Sequence, residues 1–223
     1  MKRLLLMIVF FGTLPCALLN SLQDRDADAG APPREWCAAR LTFDSVTSLR
    51  GEILFFKDRW FIRRNLSNPE IMNISISAFW PTVKYQINAA YEVENLVFFI
   101  KGQQYWAFSA SIEQPGFPKD IRNLGFPKKL KKIDAALHDR NTMKTYFFSG
   151  NKYWRYDETK TSMEKGYPRK IATDFAGIGP KVDAAIQHNG KFYFFSGQEQ
   201  YEFDIIRKMV TKKMNSNSWL GCP

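Results

Sequence analysis

The sequence has few of the residues on which most protein chemistry depends. It holds two histidines and three cysteines, and His-Glu-x-x-His occurs nowhere in it. His138 and His188 stand about fifty residues apart, so they cannot supply the three protein ligands of a catalytic zinc centre. Too few ligands remain for a structural zinc site, and no Ser/His/Asp or Cys/His arrangement for nucleophilic catalysis emerges. Helical periodicity is missing from the aromatic stretches. Beyond residue 19 no run is apolar enough to cross a bilayer.

The amino-terminal region does have an apolar run. Met1-Lys2-Arg3 is followed by an uncharged apolar stretch to Leu19, broken by Gly12, Thr13 and Pro15. This is the pattern of a secretory signal peptide over residues 1–20, and the stretch is short for a membrane anchor. Residues 21–36 form a polar Ala/Asp/Pro linker. Its alternating Asp24, Asp26 and Asp28 lack the glycine and glutamate of an EF-hand loop. From Trp36 onward the composition is globular, and residues 37–222 are expected to form one domain. Cys16 falls in the signal, leaving Cys37 and Cys222 at opposite ends of the domain, where an oxidising compartment would pair them. Asn65-Leu66-Ser67 and Asn73-Ile74-Ser75 are glycosylation sequons. The net charge is +10, with one basic cluster at Lys128, Lys129, Lys131 and Lys132 and another at Arg207, Lys208, Lys212 and Lys213. For a secreted chain, heparin-like glycosaminoglycans are the expected polyanion, rather than nucleic acid; a plain solvated surface is the alternative.

Self-comparison reveals four repeats. They open on Phe43-Asp44-Ser45-Val46, Ile87-Asn88-Ala89-Ala90, Ile133-Asp134-Ala135-Ala136 and Val182-Asp183-Ala184-Ala185. Each continues into an aromatic pair (Phe55-Phe56, Phe98-Phe99, Phe147-Phe148, Phe194-Phe195), a Gly or Asp turn and a second alternating strand. The spacing is that of a propeller blade. An open solenoid would need polar capping repeats, whereas here the outer repeats are as aromatic as the inner ones. The expected fold is therefore all-β, a four-bladed propeller closed by one disulfide, with blades at about 43–86, 87–131, 132–180 and 181–222. A β-sandwich would leave the fourfold repeat unexplained. A short helix fits between Pro168 and Phe175. In a ring so small, the alanine-rich strands would crowd the axis, where their backbone carbonyls could converge on a cation. Four carbonyls and water reach the oxygen number that calcium takes.

Asp-Ala-Ala, Tyr-Phe-Phe, Lys152-Tyr-Trp-Arg-Tyr-Asp157, Met163-Glu-Lys-Gly-Tyr-Pro168, Asp174-Phe-Ala-Gly-Ile-Gly-Pro180 and the closing Asn217-Ser-Trp-Leu-Gly-Cys222 together resemble the hemopexin-like domain of matrix metalloproteinases. Leu49 to Arg59 is most similar to the collagenase, stromelysin and macrophage-elastase group. The resemblance implies structural calcium on the carbonyls of Asp44, Asn88, Asp134 and Asp183, with Val46, Ala90, Ala136 and Ala185 as a second ring. It also implies collagen, other matrix proteins and tissue inhibitors of metalloproteinases as partners. The chain departs from the family in Cys37-Ala38-Ala39, where Cys-Asp-Pro is usual, and in Asn88, where other blades carry aspartate. It also lacks the family's propeptide and zinc catalytic domain.

Three functions follow as expectations. The first is a secreted, non-catalytic binding module without zinc or a membrane span. The second is a truncated or isoform product of a metalloproteinase gene, for which a zinc endopeptidase activity would be inherited in name only. The third, haem binding, would need histidines that the sequence places at the surface.

Overall fold

The computed structural model describes residues 34–65, 71–84 and 86–222. The expected signal, nearly all of the expected linker, Cys16 and Ser67 lie outside them. Blade one is β1 (Ser45–Leu49), β2 (Glu52–Lys57), β3 (Trp60–Arg64) and β4 (Ile71–Ser75). Blade two is β5 (Ala89–Val93), β6 (Leu96–Lys101), β7 (Gln104–Ser109), β8 (Ile112–Glu113) and β9 (Lys119–Asp120). Blade three is β10 (Ala135–Asp139), β11 (Lys144–Ser149), β12 (Lys152–Asp157), β13 (Ser162–Met163) and β14 (Arg169–Lys170). Blade four is β15 (Ala184–His188), β16 (Lys191–Ser196), β17 (Glu199–Asp204) and β18 (Met209–Asn215). Each blade is an antiparallel meander; the short β9 and β14 return to pair with β7 and β12. The innermost strands touch in cyclic order, β1 to β5 to β10 to β15 and back to β1. That closed order makes the fold a four-bladed propeller, as the repeats require.

The second strand of each blade shows why blades form and why they stack. Successive side chains of a strand point to opposite faces, so a Phe-Phe pair gives one ring to each neighbouring blade. Phe56 meets Phe99 across the first seam, at 5.5 Å between ring centroids, and Phe148 meets Phe194 across the third, at 5.6 Å. Phe195 meets Phe55 at 6.3 Å and closes the circle. At the second seam Ile100 replaces an aromatic ring and packs in one cluster with Phe147. Truncating one of these buried rings to alanine would cost roughly 3–5 kcal/mol. The inner strands opposite them carry small residues: Ala90, Ala136 and Ala185 face Phe99, Phe147 and Phe194 in register.

Closure depends on both chain ends. Trp36, at which the globular composition begins, is buried in the seam between blades one and four with Leu41, Phe43, Phe195 and Leu220. Its burial follows from the 3-10 turn Arg34–Cys37, which is tied to the other end by the Cys37–Cys222 disulfide. The Cα atoms of the two cysteines are 5.4 Å apart across a separation of 185 residues. Asn217 Nδ2 donates to the Ala38 carbonyl at 3.4 Å, and Ser216 Oγ donates to that of Leu41. Single helical turns follow the outer strands at α1 (Ile76–Phe79) and α2 (Ile171–Asp174). The helix expected from Pro168 is shorter than the sequence suggests because Arg169 and Lys170 pair with β12 instead.

Candidate functional site: the two ends of the axial channel

Each of the repeated Asp/Asn residues immediately precedes the inner strand of its blade. The backbone N–H groups of Asp44, Asn88, Asp134 and Asp183 donate to the carbonyls of Phe56, Ile100, Phe148 and Phe195 at 2.9, 2.9, 2.8 and 2.8 Å. Their side chains are committed too. Asp44 accepts from the Asp58 N–H at 2.6 Å, and Asn88, Asp134 and Asp183 accept from the Gly102, Gly150 and Gly197 N–H groups at 2.8 Å each. Those donors open the two-residue hairpins between the second and third strands, with φ of 54°, 57°, 55° and 58°. Such a positive angle explains the glycine in three blades. An amide oxygen accepts this bond as well as a carboxylate does, so Asn88 departs from its three counterparts in charge without departing in structure.

Charge is handled separately. Lys57, Lys132 and Lys181 stand 3.8, 3.3 and 2.7 Å from Asp44, Asp134 and Asp183. The three carboxylates are thus held by turns and lysines. The next ring, Val46, Ala90, Ala136 and Ala185, is buried throughout. Among the described residues no group of three or more His, Cys, Asp or Glu is placed to hold a metal ion. A cation at this end would therefore be a backbone-oxygen site for a hard ion, the chemistry calcium accepts.

The opposite end is built differently. Four residues further along the inner strands stand Ser48, Glu92, His138 and Gln187. The Glu92 side chain is only 2% exposed. Its carboxylate accepts from Ser48 Oγ at 2.7 Å and from the Arg50 N–H at 2.8 Å, and it pairs with the Arg140 guanidinium. Arg140 also donates to Ser48 Oγ at 3.0 Å, and its backbone N–H donates to Gln187 Oε1 at 2.8 Å. Gln187 Nε2 in turn donates to Asp139 Oδ1 at 2.6 Å. All four blades are thus joined by one polar network over a residual cavity of about 10 Å³, room for about one water. Arg140 reaches its partners because the β10–β11 loop has four residues, where β1–β2, β5–β6 and β15–β16 turn in two. The sequence showed only a charged loop here; the longer spacing after the third Asp-Ala-Ala was the available signal.

The histidines are not the surface residues expected from the sequence. His138 lies within β10, is 6% exposed and faces Thr145 Oγ1 at 3.0 Å. Thr145 gives its own hydroxyl proton to Glu158, so His138 Nδ1 must be the donor to Thr145. Burial lowers the His138 pKa to about 4, despite the opposing pull of Asp139, and burial raises that of Glu158. His188, half-buried at the end of β15, packs on Trp219 with centroids 5.4 Å apart. His138 is thus bonded within blade three, while His188 packs where blade four meets the closing turn.

The remaining predicted residues lie away from the axis. Asn65 and Asn73 are exposed at the rim of blade one, one just after β3 and one on β4. Lys128, Lys129, Lys131 and Lys132 are exposed on the connection into blade three.

Comparison with known proteins agrees with this geometry. The sequence profile of the hemopexin family matches residues 43–83, 87–128, 133–180 and 182–222, one stretch per blade. The chain belongs to the hemopexin family. It is 53% identical over 188 residues to stromelysin-2 of Rattus norvegicus, covering 83% of this chain and 40% of that protein. It is 50% identical over 209 residues to interstitial collagenase of Equus caballus, covering 92% of this chain and 45% of that one. The chain therefore spans less than half the length of these relatives. The solved hemopexin-fold protein CP4 from cow pea shares the fold at a TM-score of 0.67 and 16% identity, covering 80% of this chain and 95% of CP4.

Proposed function

We propose that this chain acts outside the cell as a non-catalytic binding module, holding matrix proteins such as collagen, or protein inhibitors of metalloproteinases, on its blades. The observation that carries this reading is the extent of the similarity. The chain is about half identical to a stromelysin and a collagenase over 83% and 92% of its length, and the hemopexin family matches all four of its blades. A disulfide across the ring suits an oxidising, extracellular setting, and the exposed Asn65 and Asn73 would carry glycans on the rim of blade one. The histidines are occupied within the fold, and the Ser48 hydroxyl and the Glu92 carboxylate of the channel network are held by Arg140. In this reading calcium occupies the aspartate end, held by the carbonyls of Asp44, Asn88, Asp134 and Asp183, with the ring at Val46, Ala90, Ala136 and Ala185 next along the axis. It would act as a structural ion that draws the four inner strands together at this end.

The test pairs binding with cleavage. The full chain is titrated onto immobilised collagen and onto a tissue inhibitor, and it is then incubated with gelatin, zinc and calcium. Saturable binding to either partner without cleavage supports the reading. Chelator-sensitive gelatin cleavage that co-purifies with the chain would overturn it, as would the absence of binding to both partners. For the ion, melting with and without chelator, together with elemental analysis, is decisive: an unchanged melting temperature and no bound calcium would exclude the site.

A further inference from the structure

The basic residues of this protein divide into those with an acidic partner and those without. Lys57, Lys144, Lys181, Lys191 and Lys213 each lie against a carboxylate. Lys132, the last of the cluster that enters blade three, pairs with Asp134. Lys128, Lys129 and Lys131 form no ion pair among the described residues, and neither do Lys152 and Lys170. The tertiary structure brings these unpaired cations together. Lys129 and Lys152 both line a groove of about 720 Å³ between the connection into blade three and blade three itself, together with Pro127, Trp154 and Tyr167. Lys170 stands directly across the sheet from Lys152 in the β12–β14 register, and both are exposed. Like charges placed directly opposite on neighbouring strands repel and destabilise the pairing. A surface that needed only solubility would gain nothing from that placement.

We propose that this groove is a binding site for a sulfated polysaccharide. The lysines supply compact ammonium charges on flexible stems, which suit tetrahedral sulfates strung along both edges of an extended chain. The planar carboxylates of an acidic protein pair best with the fork of arginine, and the unpaired cations of this groove are lysines. The aromatic and proline residues that share the groove lining, Pro127, Trp154 and Tyr167, offer apolar contact to the C–H faces of sugar rings. The site stands apart from the protein-binding reading above, because it needs neither the channel ion nor collagen.

The probe is immobilised heparin, with the full chain eluted in rising salt. Lys129→Ala/Lys152→Ala/Lys170→Ala is compared with Lys208→Ala/Lys212→Ala, which removes charge from blade four. The groove variant is expected to bind roughly tenfold more weakly, as the loss of three exposed ion contacts implies, with a shallower dependence on salt. The blade-four variant should stay within about twofold of wild type, short of the loss of even one strong contact. Heparin should also raise the melting temperature of wild type and raise that of the groove variant less, a readout that does not depend on the column. Polyglutamate and desulfated heparin should compete poorly. Equal binding by the groove variant, a larger loss in the blade-four variant, or competition by polyglutamate as effective as heparin would each overturn the proposal, the last in favour of an acidic protein partner.

Discussion

The two ends of the axial channel obey different rules. At the aspartate end, four equivalent residues make the same backbone bond and the same side-chain bond in every blade. Each contact lies within its own blade, so the end is a fourfold copy of one local design. At the glutamate end, Ser48, Glu92, Arg140 and Gln187 are four different residues, and their bonds run between blades. Local repetition gives the aspartate end the same groups in all four blades, which is what the proposed calcium site requires. The other end is already fastened, with Arg140 serving as a tethered cation against Glu92.

The largest expected effect loosens both ends together and sets the scale. Cys37→Ser removes a cross-link over 185 residues, which the loop-entropy relation values at about 5 kcal/mol. Urea melts of the oxidised and variant chains measure it. Arg140→Ala should act on one end alone. It leaves the Glu92 carboxylate buried with only Ser48 and the Arg50 N–H as partners, at a cost of about 3 kcal/mol. Replacing Arg140 and Glu92 together, by alanine and glutamine, should recover part of that loss. A double-mutant cycle showing no coupling would dissolve the contrast between the ends.

Acid offers a graded way to strain the same end. His138 has an ordinary pKa of 6.5 and a native value of about 4, so the unfolded chain binds more protons between those values. The stability it contributes is full above pH 6.5 and falls as the pH drops toward 4, by at most about 3 kcal/mol. Glu158, raised by burial, works in the opposite direction. Melting temperature against pH should therefore fall less steeply in His138→Gln than in wild type.

The smallest effects test the repeated end. Asp134→Ala removes the acceptor for the Gly150 N–H and should cost about 1 kcal/mol. Asp134→Asn keeps the acceptor, as Asn88 does, and should melt within about 0.5 kcal/mol of wild type. A large loss in Asp134→Asn would mean that the carboxylate charge is needed there, contrary to a site built on carbonyls.

Much of this was legible in the chain because the fold is periodic. Asp-Ala-Ala, the aromatic pair and the turn glycine recur at blade spacing, and one strand's alternation is enough to say that Phe147 and Phe148 serve different neighbours. The equivalence of Asp44, Asn88, Asp134 and Asp183 was legible for the same reason: each holds one register position in its blade. What the repeat could not show was the work of the side chains, which bind hairpin turns in a bond between residues 14 to 16 positions apart. Arg140 was illegible in another way. Its partners lie 92, 48 and 47 residues away in blades one, two and four, and no local pattern marks a contact between unlike residues of different repeats.

By itself, then, the sequence determined the blade, its strand alternation, its turn glycines and the number of copies, since each of these is settled by interactions within about fifty residues. The tertiary structure alone decided which unlike residues meet when the ring closes. It buried Trp36 at the seam, turned His138 inward, set Arg140 over Glu92 and gathered unpaired lysines from two stretches of chain around one groove. Those outcomes depend on where blades come to rest against each other, and that geometry arises only from packing all four.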